Sequence, residues 1–153
     1  MEDIFPHQGK LIAYVDGSFH PDLQKYAFGC VLLTSEGEIV EKSGSGSNPE
    51  SAAIRNVAGE MLGAMYAARY ACVKGYRELE IRYDYEGIEK WVTGAWKAKK
   101  ELTRKYAAYM RSRSQYISLS FTKVRAHSGN EYNDRADALA KAALLMPDGL
   151  PQV

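Results

Sequence analysis

Lys10-Leu11-Ile12-Ala13-Tyr14-Val15-Asp16-Gly17-Ser18 is the stretch on which the fold turns. Leu11, Ala13 and Val15 alternate with Ile12, Tyr14 and Asp16, which predicts a strand over residues 10–16 buried on one or both faces. Gly17-Ser18 is expected to end it, and residues 19–25, with Pro21, to form a loop. Residues 26–34 are a second apolar run rich in β-formers. Ser35-Glu36-Gly37 is a turn signal, and residues 38–43 read as the returning strand of a hairpin. Three antiparallel strands therefore open the chain.

Outward from this meander the pattern changes. Residues 44–50 are rich in Gly, Ser, Asn and Pro and read as a loop. Ala53, Val57, Met61, Ala64, Ala68 and Cys72 then recur at spacings of three and four, which predicts a helix over 52–73, closed by Gly75 as a left-handed cap. A short strand over 79–84 follows, then helical stretches over about 85–92 and 99–113 separated by Gly94. Residues 117–124 alternate as a strand, and 131–146 read as the last helix, ended by Pro147-Asp148-Gly149, with a loose tail beyond. The order β-β-β-α-β-α-α-β-α implies an α/β fold. Its five-stranded mixed sheet, three antiparallel strands then two parallel ones, is flanked by helices.

At 153 residues the chain fits one domain, 1–153, with a core over about 10–146. Lys and Arg number 20 against 19 Asp and Glu, so any contact to a polyanion must come from a local patch. No apolar run approaches the roughly 18–20 residues that cross a bilayer, and the acidic start lacks the basic and apolar regions of a signal peptide. A cytoplasmic protein without membrane partners is the expectation. Cys30 and Cys72 lie in apolar stretches without metal-type spacing and read as reduced thiols.

The acidic residues carry the chemistry. Asp16 and Asp84 each close a predicted strand, and strand ends where connections diverge form the usual crevice of an open α/β sheet. Either alone reads as a solvated turn residue. Glu60 sits among Val57, Ala58, Met61 and Leu62, where a short charged side chain needs a metal or a basic partner. Asp137 is flanked by Ala136 and Ala138, small residues that permit close approach. Carboxylates from separate elements, without Cys or paired His, suit a hard cation such as Mg²⁺ and not zinc. Two such ions about 3.5–4 Å apart serve in-line phosphodiester hydrolysis.

Four segments resemble the ordered motifs of type 1 ribonuclease H: Tyr14-Val15-Asp16-Gly17-Ser18, Arg55-Asn56-Val57-Ala58-Gly59-Glu60, Ile81-Arg82-Tyr83-Asp84, and His127-Ser128-Gly129 with Asn133 and Asp137-Ala138-Leu139-Ala140. The likeness spans residues 10–143. It implies a ribonuclease H-like fold and metal-dependent endonucleolytic cutting of the RNA strand in RNA–DNA hybrids, leaving 3′-hydroxyl and 5′-phosphate ends. Two Mg²⁺ ions, with Mn²⁺ able to substitute, are implied on Asp16, Glu60, Asp84 and Asp137. The family sets its fourth carboxylate ten residues beyond the histidine, which selects Asp137 over Asp134. A DNA-processing nuclease and a catalytically dead binding module are the competing readings within this fold.

The resemblance also assigns roles around the carboxylates. His127, on a polar loop where a histidine is ordinarily just solvated, becomes an aid to proton transfer or product departure. Asn56 lies one helical turn before Glu60 and, with Gly17, Ser18 and Asn133, is implied to meet the hybrid, where the 2′-hydroxyl marks the RNA strand. Arg55 departs from the Thr common at its position, yet an Arg holds a phosphate well. Lys97, Lys99, Lys100, Arg104, Lys105, Arg111 and Arg113 are interleaved with Trp91, Trp96, Tyr106 and Tyr109. They read either as a solvated helix face or as a patch on which Trp96, Lys99 and Lys100 receive the DNA strand. A monomer is expected.

Overall fold

The structure is a computed structural model that describes residues 4–125 and 129–153. Five strands, β1 (Lys10–His20), β2 (Lys25–Leu33), β3 (Ile39–Gly46), β4 (Glu78–Tyr83) and β5 (Ser118–Lys123), form one sheet in the order β3-β2-β1-β4-β5. The first three pair antiparallel, while β1–β4 and β4–β5 pair parallel. The helices are α1 (Pro49–Ala52), α2 (Asn56–Lys74), α3 (Gly87–Thr93), α4 (Glu101–Arg113) and α5 (Glu131–Ala143). The mixed sheet and the order of its elements are those read from the sequence, with a one-turn α1 added.

Strand alternation sorts the side chains between two layers. Leu11, Ala13 and Val15 of β1, with Phe28, Cys30 and Leu32 of β2, pack under Met61, Ala64 and Ala67 of α2 and under Tyr106 and Met110 of α4. Ile12, Tyr14, Val31 and Leu33 point to the other face and meet Ala136, Tyr132 and Leu139 of α5. Covered on both sides, β2 is buried along its whole length. Each fully buried Leu or Ile here, such as Leu11, Leu79 and Ile81, contributes roughly 1.5–3 kcal/mol.

Three boundaries differ from the sequence reading. β1 does not stop at Gly17-Ser18: Gly17 pairs with Phe28 and Ser18 with Ala27, because the hairpin ladder to β2 carries the strand on to His20. The predicted helix over 52–73 is broken at Arg55, whose φ of 57° and ψ of −129° interrupt the turn, so α2 begins at Asn56. The tail is not loose. Gly149 forms a bridge with Ser45 of the edge strand, Asp148 takes Ser47 (2.6 Å) and Lys25 (3.2 Å), and Tyr66 donates to the Gln152 carbonyl (3.0 Å). Edge-strand groups left unpaired by the sheet find partners there. Gly75 does cap α2 in the left-handed conformation, and Cys30 and Cys72 are free thiols.

Candidate active site

The last β1–β4 pair joins Tyr14 and Arg82. Beyond it the two strands part, β1 continuing along β2 while β4 ends at Tyr83. Asp16 sits two residues past that last pair and Asp84 one residue past β4, so both lie where the connections diverge. Asp16 shares the face of Ile12 and Tyr14, toward α5.

Two glycine seats bring the flanking helices to this point. A Cβ on Gly17 would stand 2.2 Å from the Asn56 carbonyl oxygen and 2.5 Å from the Glu60 nitrogen. A Cβ on Gly59 would stand 2.0 Å from the Ala27 carbonyl oxygen. Backbone therefore touches backbone where α2 crosses β1 and β2, and Glu60 is set beside the strand end. On the opposite face Gly29, the register partner of Asp16, would place a Cβ 1.9 Å from the carbonyl oxygen of Ala136, next to Asp137. Without side chains at these positions each helix settles directly on the sheet.

The resulting charges are poorly neutralised. Glu60 is 4 % exposed, and burial pushes its carboxyl up to about 8, against the pull of hydrogen bonds it accepts from the backbone N–H of Asp84 (2.8 Å) and Tyr85 (3.2 Å). Asp16 is raised to about 7, first by burial and then by its hydrogen bond to, and repulsion from, Asp137. Asp137 also meets Lys141, one helical turn on, at 2.9 Å. Among the described residues no three His, Cys, Asp or Glu side chains are arranged to ligate one ion as they stand. The donor set is nevertheless all oxygen, half-buried and in excess of nearby cations, which fits a hard divalent ion.

The remaining predicted residues divide. Asn56 and Arg55 are exposed at the start of α2, Arg55 with its guanidinium 5.1 Å from the Phe19 ring centroid. Arg55 is the N-cap of α2 and makes no side-chain capping bond, and Asn56 is the first residue of the helix. Ser18 is half-buried within β1. Asn133 is 5 % exposed, which sets it apart from the surface residues expected to meet a substrate. Asp134 is exposed. His127 lies outside the described residues.

The basic segment also separates. Lys97, Lys99 and Lys100 line a groove of about 290 Å³ with Val57, Tyr85 and Trp91, beside Asn56 and Asp84 in sequence. Trp96 packs edge-on against Tyr85 (6.0 Å) and Trp91 (6.1 Å), and Lys90 sits over it. Elsewhere Lys105 pairs with Glu101, Arg111 donates to the carbonyls of Trp91 and Val92, and Tyr106 is buried with its hydroxyl on the Ile88 carbonyl. A concavity of about 740 Å³ opens at the opposite end of the sheet, around Gly9 and Tyr76, away from these carboxylates.

Sequence reading missed Gly29, Gly59 and Lys141. A Gly inside a strand and another inside a helix are signals of close backbone approach, and both were present in the chain. Lys141 at i+4 from Asp137 was legible as a helix ion pair.

Comparison with known proteins accords with this geometry. The family model for RNase H matches residues 8–145. Ribonuclease HI of Halobacterium salinarum is 32 % identical over 137 residues, covering 89 % of this chain, which spans 65 % of that protein's length. Ribonuclease H of Prosthecochloris aestuarii is 27 % identical over 144 residues, covering 88 % of this chain and 95 % of that one. Among solved structures, RNase H1 from the halophilic archaeon Halobacterium salinarum NRC-1 superimposes with a TM-score of 0.74 at 29 % identity, covering 88 % of this chain and 97 % of that one. LC11-RNase H1, solved in complex with RNA/DNA hybrid, shares the fold with a TM-score of 0.71 at 22 % identity over 88 % of this chain and 96 % of that one. With the family model matching nearly its whole length and a relative 32 % identical over 89 % of it, the chain belongs to the RNase H family, whose curated relatives bear the name ribonuclease H.

Proposed function

We propose that this chain is a ribonuclease H that hydrolyses the RNA strand of RNA–DNA hybrids, leaving 3′-hydroxyl and 5′-phosphate ends. The observation that carries the reading is the meeting of Asp16 and Asp84, at diverging strand ends, with buried Glu60 of α2 and Asp137 of α5. Asp16, Glu60, Asp84 and Asp137 would hold two Mg²⁺ ions, Mn²⁺ substituting. When bound, these ions supply the charge neutralisation that attacking and leaving oxygens require.

The chain's own groups do the rest. Glu60, fixed by the two backbone N–H groups, keeps its carboxylate at one place without reorganisation. Lys141 offsets charge on Asp137. His127 would hold or deliver the proton of the departing oxygen. Asn56 and the edge of β1 at Gly17 and Ser18 would face the minor groove and the 2′-hydroxyls. Arg55, Trp96, Lys99 and Lys100 would take the phosphates and sugars of the DNA strand, from the start of α2 and the Trp91 groove. A monomer acting in the cytoplasm completes the proposal; no described helix is long and apolar enough to cross a membrane.

End-labelled RNA–DNA hybrid, RNA duplex, DNA duplex and single strands, each with Mg²⁺, Mn²⁺ or EDTA, test it. Cutting of the hybrid's RNA strand alone, abolished by EDTA, is expected. Cutting of duplex DNA instead would move the chain to a DNA-processing nuclease, and no cutting by a folded protein would leave a binding module.

A further inference from the structure

A second basic site lies at the pole of the molecule away from the carboxylates. α2 and α4 both end there, and the chain enters β4 and β5 between them. A cavity of about 460 Å³ is lined by Cys72, Tyr76, Arg77, Arg113, Tyr116 and Ile117. Two arginines line it, and among the described residues no carboxylate does. The acids beside it are engaged elsewhere, Glu78 with His7 and Glu36 with the Tyr76 hydroxyl (2.8 Å).

Arg113 is built into this place. It is the last residue of α4, and its guanidinium lies 5.5 Å from the Tyr109 ring centroid and 5.3 Å from that of Tyr116. Its Nε is a buried donor with no hydrogen-bond partner among the described residues. A helix C-terminus by itself accounts for a nearby cation. It does not account for this one's Nε, because the terminal carbonyls are taken by backbone: the Met110 carbonyl by Ser114 (3.0 Å) and the Arg113 carbonyl by Tyr116 (2.9 Å) and Ile117 (3.2 Å). A buried donor without an acceptor is costly, and an oxyanion accepting from the fork would offset that cost.

We propose that Arg113 and Arg77 form a binding site for a phosphoryl group, separate from the hydrolytic centre. Two positive forks with no acid in the described lining favour a dianion over a carboxylate monoanion. Stacking between Tyr109 and Tyr116 preorganises Arg113, so little side-chain entropy is lost on binding. Tyr116, 70 % exposed, gives the site an open aromatic wall beside the phosphoryl position.

The test is a titration of the full chain with inorganic phosphate in EDTA, without nucleic acid, followed through the arginine Nε–H signals in nitrogen-edited NMR spectra, with acetate in parallel. A saturable shift of the Arg113 Nε–H with phosphate, and a much weaker response to acetate, is expected. Arg77→Gln, an exposed change that leaves packing intact, should weaken phosphate binding about tenfold, and Arg113→Lys by a similar factor through loss of the fork. Lys99→Gln should not alter it. An Arg113 signal that stays still or drifts without saturation overturns the proposal, as does a response equal for phosphate and acetate or unchanged by Arg77→Gln.

Discussion

The carboxyl group of Asp16 hydrogen-bonds to that of Asp137, joining the first strand to the last helix. Both side chains come to this point because Gly29, opposite Asp16 on β2, lets the backbone of α5 rest against the strand.

That pair makes the protein's stability depend on pH in an unusual direction. Burial, then Asp137, raises Asp16 to about 7, and burial raises Glu60 to about 8. The folded chain thus retains protons that the unfolded chain releases near pH 4. In EDTA, the contribution of these two groups to stability should be full below that range and fall as pH rises from there through 7 and 8. Asp16→Asn should flatten the fall and stabilise the protein by about 1–3 kcal/mol at pH 8, while abolishing Mg²⁺-dependent cleavage. Thermal melts in EDTA across this range check it; a Tm difference between the wild type and Asp16→Asn that does not change with pH contradicts the raised Asp16 carboxyl.

The glycine seats should be intolerant of even one methyl group. Gly59→Ala and Gly29→Ala put carbon within 2.0 and 1.9 Å of backbone carbonyl oxygens, which no side-chain rotation relieves. A loss of about 2–4 kcal/mol is expected from each by urea denaturation, together with a fall in kcat that exceeds the change in KM. Unchanged stability in either variant would show that helix and sheet are not in backbone contact there.

Arg55 joins strain to exposure. Its φ of 57° is a conformation that favours glycine, held while the guanidinium lies over Phe19. Arg55→Gly should raise stability by about 1 kcal/mol and raise the KM for hybrid several-fold. A lower Tm with unaltered KM would mean that the residue serves packing and not the substrate.

The basic segment should behave as two groups. Lys99→Gln with Lys100→Gln removes charge from the groove beside Tyr85 and Trp91, and the slope of log affinity against log salt should fall by roughly 0.9 for each phosphate that is no longer neutralised. Lys105→Gln, whose ammonium already pairs with Glu101 at 3.2 Å, should leave the slope in place. Equal effects from both changes would return the segment to a plain solvated face.

Local periodicity made most of the sheet and helices legible. The alternation of Leu11, Ala13 and Val15 with Ile12 and Tyr14 survives as two packed faces, and the spacing of Met61, Ala64 and Ala68 survives as the inner side of α2. Boundaries were less legible because other parts of the chain set them. Gly17-Ser18 has the composition of a turn, yet pairing with Phe28 and Ala27 holds it in strand. Nothing in Arg55 announces a positive φ. The tail after Pro147 has no pattern of its own and is ordered by the free edge of β3.

By itself the sequence determined the mixed sheet, the identity of four carboxylates in ordered motifs, and the likeness that points to an RNA–DNA hybrid. Only the tertiary structure decided how those carboxylates meet: Asp16 against Asp137, Glu60 on the N–H groups of Asp84 and Tyr85. It also separated Lys99 and Lys100, on the groove, from Arg111, engaged with backbone carbonyls. The physical reason is that periodicity records which face of an element is buried, whereas proximity between elements depends on how closely backbones approach, and here that is set by Gly17, Gly29 and Gly59.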